Sequence, residues 1–162
     1  MNVQTLYSLQ RQLDERIETQ HGLQGENLVD RKILALLVEV GELANETRCF
    51  KFWSSKPSAP QEIVLEEYVD GLHFILSLGL DLQLAERVEW PDVQASKPLV
   101  AQFLDVFQAI HLFEQALSIE TYEALLRSYV ELGHALQFTS EQIERAYMAK
   151  NAVNHERQDQ NY

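Results

Sequence analysis

Five acidic residues on two predicted helices have the types and spacing of metal ligands. At 100° per residue, Glu39, Glu42 and Glu46 fall within about 60° of one another on a helix. Glu67 and Asp70 are three residues apart, so they are also neighbours on one helical face. Gathered carboxylates repel each other unless a cation meets them, and hard oxygen ligands select Mg²⁺ or Mn²⁺ over Zn²⁺. The pattern predicts a divalent metal site whose ligands are Glu39, Glu42, Glu67 and Asp70.

The sequence around these carboxylates strengthens the prediction of a metal site. Residues 33–40 (ILALLVEV) and 63–76 (IVLEEYVDGLHFIL) are largely apolar, and such helices are normally buried. Either acidic pair alone is typical of a solvated helix face in an acidic protein. Because both pairs interrupt apolar runs, we expect two antiparallel helices to bring four carboxylates to one point.

A cationic face on the last predicted helix offers the opposite charge. Lys150, Asn154 and Arg157 are spaced i, i+4 and i+7 and therefore share one face, and Tyr162 is the last residue. A guanidinium binds phosphate oxygens as a fork and an ammonium binds them as a point charge, so this face suits a phosphate chain. The alternative interpretation is a solvated basic helix end that interacts with the helix dipole.

An aromatic and cationic segment, Phe50-Lys51-Phe52-Trp53, lies between the two acidic helices. Aromatic rings beside cations could stack a nucleobase. Phe and Trp more commonly anchor a hydrophobic core, however. The residues alone leave both interpretations open.

The composition limits the partners and the location of the chain. Among 162 residues, 13 are Lys or Arg and 25 are Asp or Glu, which gives a net charge of −12 and argues against nucleic acid as a partner. No apolar run approaches the roughly 18 residues of a membrane span, and the first residues lack the apolar core of a signal peptide. The single cysteine, Cys49, fits a reducing compartment. We therefore expect a cytoplasmic protein with no membrane partner.

Hydrophobic spacing predicts an all-α fold, a bundle of about six helices. No segment alternates as a strand does, and no linker is long enough to separate domains, so we expect one domain over residues 1–162. Thr139 and Gln142 have the spacing of a capping box for the last helix. The helices are expected at about 3–20, 27–50, 61–81, 99–117, 121–137 and from 139 onward, with an irregular stretch at 84–98.

Three stretches of the sequence match a known pattern: LVEVGELANETRCFKFWS, LEEYVDGLHF and AYMAKNAVNHERQDQNY. Together they resemble the dimeric, all-α dUTPases, which belong with the MazG-like nucleoside triphosphate pyrophosphatases. Residues 82–136 match no motif of that family. The resemblance implies a central four-helix metal-binding core within the bundle. It also implies a homodimer that hydrolyses dUTP to dUMP and diphosphate with a metal-activated water, with dUDP as a further candidate substrate.

The resemblance also implies roles for individual residues. Those implied to hold two or three Mg²⁺ ions are Glu39, Glu42, Glu67 and Asp70, with Glu46 in the outer shell or positioning a water. Those implied to bind the phosphate chain are Lys150, Arg157 and Tyr162, with Lys51 as a further candidate. Those implied to contact the nucleoside are Gln10, Trp53, His73 and Asn154.

Within the nucleoside group, Gln10 and Trp53 would contact uracil, and Asn154 would contact the uracil edge or the sugar. His73 would lie near the deoxyribose and exclude a 2′-hydroxyl. Uracil selectivity would then come from buried polar groups that the wrong base leaves unpaired. Gln160 and Asn161 precede Tyr162 where the family pattern has a glycine before its final tyrosine.

Three other functions remain open at this point. A related pyrophosphatase with another pyrimidine or a broader nucleotide range would share the metal ligands. A di-iron carboxylate protein would use pairs such as Asp70-x-x-His73 and Glu131-x-x-His134, of which only the second is a true Glu-x-x-His. A non-enzymatic helical interaction module would leave the carboxylates solvated.

Overall fold

The computed structural model describes residues 1–161, and six α-helices account for most of them. The described residues contain no strand, which confirms the predicted all-α fold. A short 3₁₀ turn at Ala85–Arg87 lies within the stretch that was expected to be irregular. The helices are α1 (Val3–His21), α2 (Val29–Thr47), α3 (Gln61–Asp81), α4 (Leu99–Gln115), α5 (Ile119–Ala135) and α6 (Ser140–Asp159).

Local side-chain chemistry sets several helix ends. The predicted capping box before α6 is present. The Thr139 side chain accepts from the Gln142 backbone N–H, and the Gln142 side chain accepts from the Thr139 backbone N–H. A second capping box, Ser118 with Thr121, starts α5 two residues earlier than expected. Helix α2 ends at Thr47 rather than near Phe50, because the next residue, Arg48, has a left-handed backbone with φ 57°.

Helix α3 lies at the centre of the fold and contacts α1, α2, α5 and α6. The hydrophobic core around it draws buried residues from all six helices. The expectation of a single domain over 1–162 stays a prediction. Because four other helices pack against α3, its side chains are held by packing along most of the helix.

The contact between α3 and α5 is a reciprocal pair of tyrosines, here called the tyrosine clasp: Tyr68, Tyr129, Gly71 and Gly133. The Tyr68 hydroxyl donates to the Tyr129 carbonyl at 3.0 Å, and the Tyr129 hydroxyl donates to the Tyr68 carbonyl at 2.7 Å. The two rings stack with centroids 4.6 Å apart. A Cβ at Gly71 would lie 2.2 Å from the Tyr129 hydroxyl, and one at Gly133 would lie 2.6 Å from the Tyr68 hydroxyl. The helices approach this closely only because both positions lack a side chain.

The expected burial of the apolar run in α2 is observed for only part of the run. Leu34 is 63% exposed and Val38 is 50% exposed, whereas Leu36, Val40 and Leu43 are fully buried. Helix α2 packs against α3 and α4, and no other helix among the described residues covers its remaining face. An apolar run shows which residues can be buried, but the number of packing partners decides which of them are. No helix among the described residues is long and apolar enough to cross a membrane.

Candidate active site

Three carboxylates from α2 and α3 meet at one place, here called the acid cluster: Glu39, Glu67 and Asp70. Each offers an oxygen, and these oxygens all lie within 4.8 Å of one another. The Ala59 amide donates to the Glu46 carbonyl at 2.9 Å, which pins the connecting loop against the end of α2. Helices α2 and α3 therefore form a hairpin that places residues far apart in sequence side by side.

Burial and neighbouring negative charge both disfavour the ionised form of the acid cluster. Burial, followed by the charges of Asp70 and Glu42, raises the pKa of Glu39 from 4.5 to about 7. Burial is also the first cause that raises the pKa values of Glu67 and Asp70 above their usual range. The ionised cluster thus needs positive charge, and its all-oxygen donor set fits a hard divalent cation such as Mg²⁺ or Mn²⁺.

The other two predicted acids lie at the edge of the acid cluster. Glu42 is exposed and falls outside the 4.8 Å group. Its charge nevertheless raises the pKa of Glu67, after burial and Asp70, and the charge of Glu46 contributes further in the same direction. Glu46 is half-buried. Both carboxylates are therefore within electrostatic reach of the site.

Helix α6 brings a cation directly onto the acid cluster. The Lys150 ammonium lies 2.7 Å from an Asp70 oxygen and 2.8 Å from a Glu66 oxygen. Asn154 and Arg157 follow on the same helix and line the adjacent cavity. Tyr162, the remaining predicted phosphate ligand, lies outside the described residues. The predicted cationic face of α6 is thus turned toward the acids and away from solvent.

A cavity of about 260 Å³ extends from the acid cluster between α1, α2, α3 and α6. Glu39 and Asp70 lie at one end of its lining, and Ser77 and Lys32 lie farther along. His73 and Phe74 occupy the wall between them, one helical turn beyond Asp70. Charged groups at one end and mixed apolar and polar groups beyond suit a ligand with an anionic tail and a small polar ring.

A buried hydrogen-bond network surrounds Gln10 at this cavity. The Gln10 amide nitrogen donates to Asp14 at 2.8 Å, and its oxygen accepts from the Tyr147 hydroxyl at 2.6 Å. His73 Nδ1 lies 2.7 Å from the same oxygen, and the Ser77 hydroxyl donates to the second oxygen of Asp14 at 2.7 Å. Sequence reasoning missed Asp14, Ser77 and Tyr147. The i, i+4 spacings of Gln10 with Asp14 and of His73 with Ser77 were the available signal.

The structure does not bring the predicted aromatic contact to this cavity. Trp53 is 65% exposed and makes edge contacts with Phe50 and Phe52 in the loop after α2. Lys51, on the same loop, donates to the side chain of Asn45 in the last turn of α2 at 2.6 Å. That loop lies beside the start of α3, about 18 Å along the helix axis from His73 at 1.5 Å per residue. Contacts of Trp53 with uracil and of Lys51 with phosphate stay predictions.

The residues of the di-iron alternative do not converge. The Glu131 carboxylate accepts from Gln102 between α4 and α5 at 3.2 Å. His73 is engaged with Gln10 near α1. Among the described residues, the acid cluster is the one group of three or more ligand side chains that could hold a metal.

Comparison with known proteins agrees with this geometry. A family model described as dUTPase matches residues 2–162. No curated protein matches the chain. The family match includes residues 82–136, where no motif was recognised, as well as the acid cluster and α6. The chain therefore belongs to the all-α dUTPase family, and the reaction it catalyses is the hydrolysis of dUTP to dUMP and diphosphate.

Proposed function

We propose that dUTP is hydrolysed at the acid cluster with bound Mg²⁺ or Mn²⁺. The convergence of three half-buried carboxylates, with oxygens within 4.8 Å of one another, carries this proposal. The raised pKa of Glu39, caused by burial and the neighbouring carboxylates, is the behaviour of a ligand set that needs a cation. The proposed ligands are Glu39, Glu67 and Asp70, with Glu42 completing the set.

Bound divalent ions would neutralise the triphosphate and lower the pKa of the attacking water. The protein's part is to hold the carboxylates in place through the α2–α3 hairpin. Glu46 lies one turn beyond Glu42, and we assign it the orientation of the attacking water through its carboxylate. No covalent intermediate with a side chain is required.

The phosphate chain would meet the cationic face of α6. Lys150 is already held at the acid cluster by its two ion pairs, so its ammonium lies where an anionic chain must approach the metal ligands. Arg157 and Asn154 line the cavity next to it. A guanidinium gives bidentate hydrogen bonds to phosphate oxygens, and an ammonium adds a compact charge. Tyr162 and Lys51 remain candidates for further phosphate contacts.

The nucleoside would occupy the cavity beyond Asp70. The Gln10 amide uses one of its two protons on Asp14, and the second is the candidate donor to a uracil carbonyl. His73 lies one helical turn from Asp70, which is the level of the deoxyribose if the phosphates meet the acid cluster. Trp53 does not line this cavity. It would contact uracil only if the aromatic loop reached the same cavity in a second copy of the chain.

A nucleotide panel with and without Mg²⁺ tests this proposal. Turnover of dUTP, dUDP, dCTP, dTTP and UTP is measured, and diphosphate is separated from phosphate. We expect dUTP to yield dUMP and diphosphate only when a divalent ion is present, and dUDP to yield dUMP and phosphate. Full activity in excess EDTA would exclude the metal role of the acid cluster. Equal rates for all the triphosphates would favour a pyrophosphatase of broader range.

We further propose a homodimer that forms through the exposed apolar side chains of α2 and α4. Leu34 is 63% exposed on α2, and Leu104 is 65% exposed on α4, a helix that packs against α2. Val38 and Val100 extend this apolar surface. Sedimentation at micromolar concentration should give a dimer for the wild type and a monomer for Leu104→Glu. A monomeric wild type would exclude the proposal. The cytoplasmic location stays a prediction.

A further inference from the structure

We propose that Asp14 is a positioning residue that acts through Gln10. It keeps His73 in the Nδ1–H tautomer, so that Nε2 offers a lone pair to a hydrogen-bond donor on the bound deoxyuridine nucleotide. The inference rests on the proposed nucleotide site for the identity of the donor. The tautomer itself follows from the protein alone.

The first step is the orientation of the Gln10 amide. An ionised carboxylate only accepts hydrogen bonds. One Asp14 oxygen lies 2.8 Å from the Gln10 amide nitrogen, and the other accepts from the Ser77 hydroxyl at 2.7 Å. If the amide were turned over, its oxygen would face the carboxylate at this distance, and the two would repel. Burial raises the pKa of Asp14, but the Ser77 bond and the charge of Lys32 oppose that rise.

The second step is the protonation of His73. With the amide so oriented, the Gln10 oxygen accepts from the Tyr147 hydroxyl at 2.6 Å and lies 2.7 Å from His73 Nδ1. A carbonyl oxygen cannot donate, so Nδ1 must carry the proton. Burial lowers the pKa of His73 to about 3, which keeps the imidazole neutral. A neutral imidazole has one N–H, and Nε2 is therefore an acceptor.

The third step is the acceptor itself. His73 Nε2 is buried and has no hydrogen-bond partner among the described residues. The ring is fixed by stacking on Tyr147, with centroids 4.1 Å apart, and His73 lines the cavity beyond Asp70. Leaving a buried acceptor unpaired is costly, so a ligand that supplies a donor there gains affinity.

The nucleoside of dUTP has only two hydrogen-bond donors, the N3–H of uracil and the 3′-hydroxyl. Both satisfy the same lone pair, and the same Nδ1–H tautomer serves either one. Cytosine presents a lone pair at N3 instead of a proton, so a contact at N3 would also exclude cytosine. Through Gln10 and His73, the buried carboxylate of Asp14 thus determines that the ligand must present a hydrogen-bond donor at this position.

Nitrogen NMR of the 162-residue chain tests the tautomer directly. The chain has five histidines, and the His73 signals are assigned by their loss in His73→Gln. We expect the wild type to show a protonated Nδ1 and an unprotonated Nε2 at neutral pH. A protonated Nε2 would overturn the proposal, and this result does not depend on any activity.

Three monophosphates then identify the donor. Saturating dUMP should shift the Nε2 resonance. The shift should be lost with either 2′,3′-dideoxyuridine monophosphate or N3-methyl-dUMP, according to whether the 3′-hydroxyl or the N3–H is bound. If dUMP binds, as other resonances report, and Nε2 does not move, the contact does not exist.

Two variants test the role of Asp14. Asp14→Leu removes the acceptor, and we expect a mixture of His73 tautomers and a fall in kcat/KM for dUTP of about tenfold. Asp14→Asn keeps an oxygen for Gln10 and should preserve both the tautomer and most of the activity. A wild-type tautomer and rate in Asp14→Leu would overturn the role. If Asp14→Leu does not fold, Asp14→Ala, which also removes the acceptor, takes its place. Absence of dUTP turnover in the wild type would count against the proposed function, and not against the tautomer.

Discussion

The two faces of α3 differ in how their polar side chains are paired. Toward α5, the tyrosine clasp buries Tyr68 and Tyr129 completely and gives each hydroxyl a carbonyl acceptor. Toward α2, the same helix presents Glu67 and Asp70 to Glu39, and burial together with like charge raises their pKa values. On one face both tyrosine hydroxyls are paired. On the other, carboxylates gather, and their pKa values stay raised although Lys150 is paired with Asp70.

This difference teaches how one helix serves both stability and catalysis. The clasp fixes the position of α3 through close packing, which tolerates little change in side-chain volume. The acid cluster can remain electrostatically unfavourable because its helix is fixed elsewhere. Functional sites commonly carry such unfavourable interactions, and relieving them often stabilises a protein while removing its activity.

The largest expected effect is on the catalytic face. Asp70→Asn keeps the shape of the side chain but removes a ligand charge, so we expect dUTP turnover to fall about 10³-fold, which corresponds to about 4 kcal/mol of activation free energy. The matched control on the same helix is Glu62→Gln, at an exposed position, which should leave turnover unchanged. Normal turnover in Asp70→Asn would remove this carboxylate from the site.

The next effect is on the packing face. Gly71→Ala places a Cβ 2.2 Å from the Tyr129 hydroxyl, so the clasp must open. We expect a loss of about 3 kcal/mol in the free energy of unfolding, measured in urea. Gly41→Ala on α2 meets nothing within 4 Å and should instead gain about 0.5–1 kcal/mol, because alanine favours the helix. Equal effects of the two substitutions would contradict the account of the clasp.

Lys150→Met should have a smaller effect on catalysis. Its ammonium is proposed to bind phosphate, so we expect KM for dUTP to rise about tenfold with a smaller change in kcat. The control is Lys97→Met, because Lys97 is paired with Asp105 on α4, remote from the acid cluster. A fall in kcat with an unchanged KM would assign Lys150 to ordering the carboxylates instead.

The smallest effect concerns pH. Burial and neighbouring charges raise the pKa of Glu39 from 4.5 to about 7, so without metal its protonated form is the one that the fold tolerates. Its contribution to stability is present below pH 4.5 and is lost as the pH rises through about 7. Allowing for solvent screening of a half-exposed group, we expect a loss of about 1 kcal/mol. Urea unfolding in EDTA at pH 5 and pH 8 measures this loss. In Glu39→Gln, the part of the pH dependence that Glu39 causes should be absent.

The parts of the structure that follow from local spacing could be predicted from the sequence. The i, i+3 spacing of Glu67 and Asp70 on a helix is fixed by helical geometry, and the hairpin brought Glu39 to them. The capping box at Thr139 is equally local. By contrast, the capping box at Ser118 was missed because its partner is Thr121 and not the usual Glu or Gln.

The parts that depend on packing partners could not be predicted. Leu34 and Val38 belong to an apolar run, but both are exposed because no helix in the described part of the chain packs over them. The Gln10 network joins α1, α3 and α6, and no spacing within one helix reports such a contact. The position of the aromatic loop beside the start of α3 likewise depends on the hairpin. The sequence alone therefore did not show that Gln10 lines the cavity and Trp53 does not.

Glu39→Gln tests the contrast between the two faces most directly, when thermal unfolding with and without Mg²⁺ is measured beside dUTP turnover. Because the substitution relieves repulsion in the acid cluster, we expect a higher unfolding midpoint than the wild type in EDTA. We also expect a smaller rise on adding Mg²⁺ and turnover reduced at least a hundredfold, or about 2.7 kcal/mol of activation free energy. An unchanged or lower midpoint in EDTA, together with wild-type turnover and a wild-type response to Mg²⁺, would contradict the account.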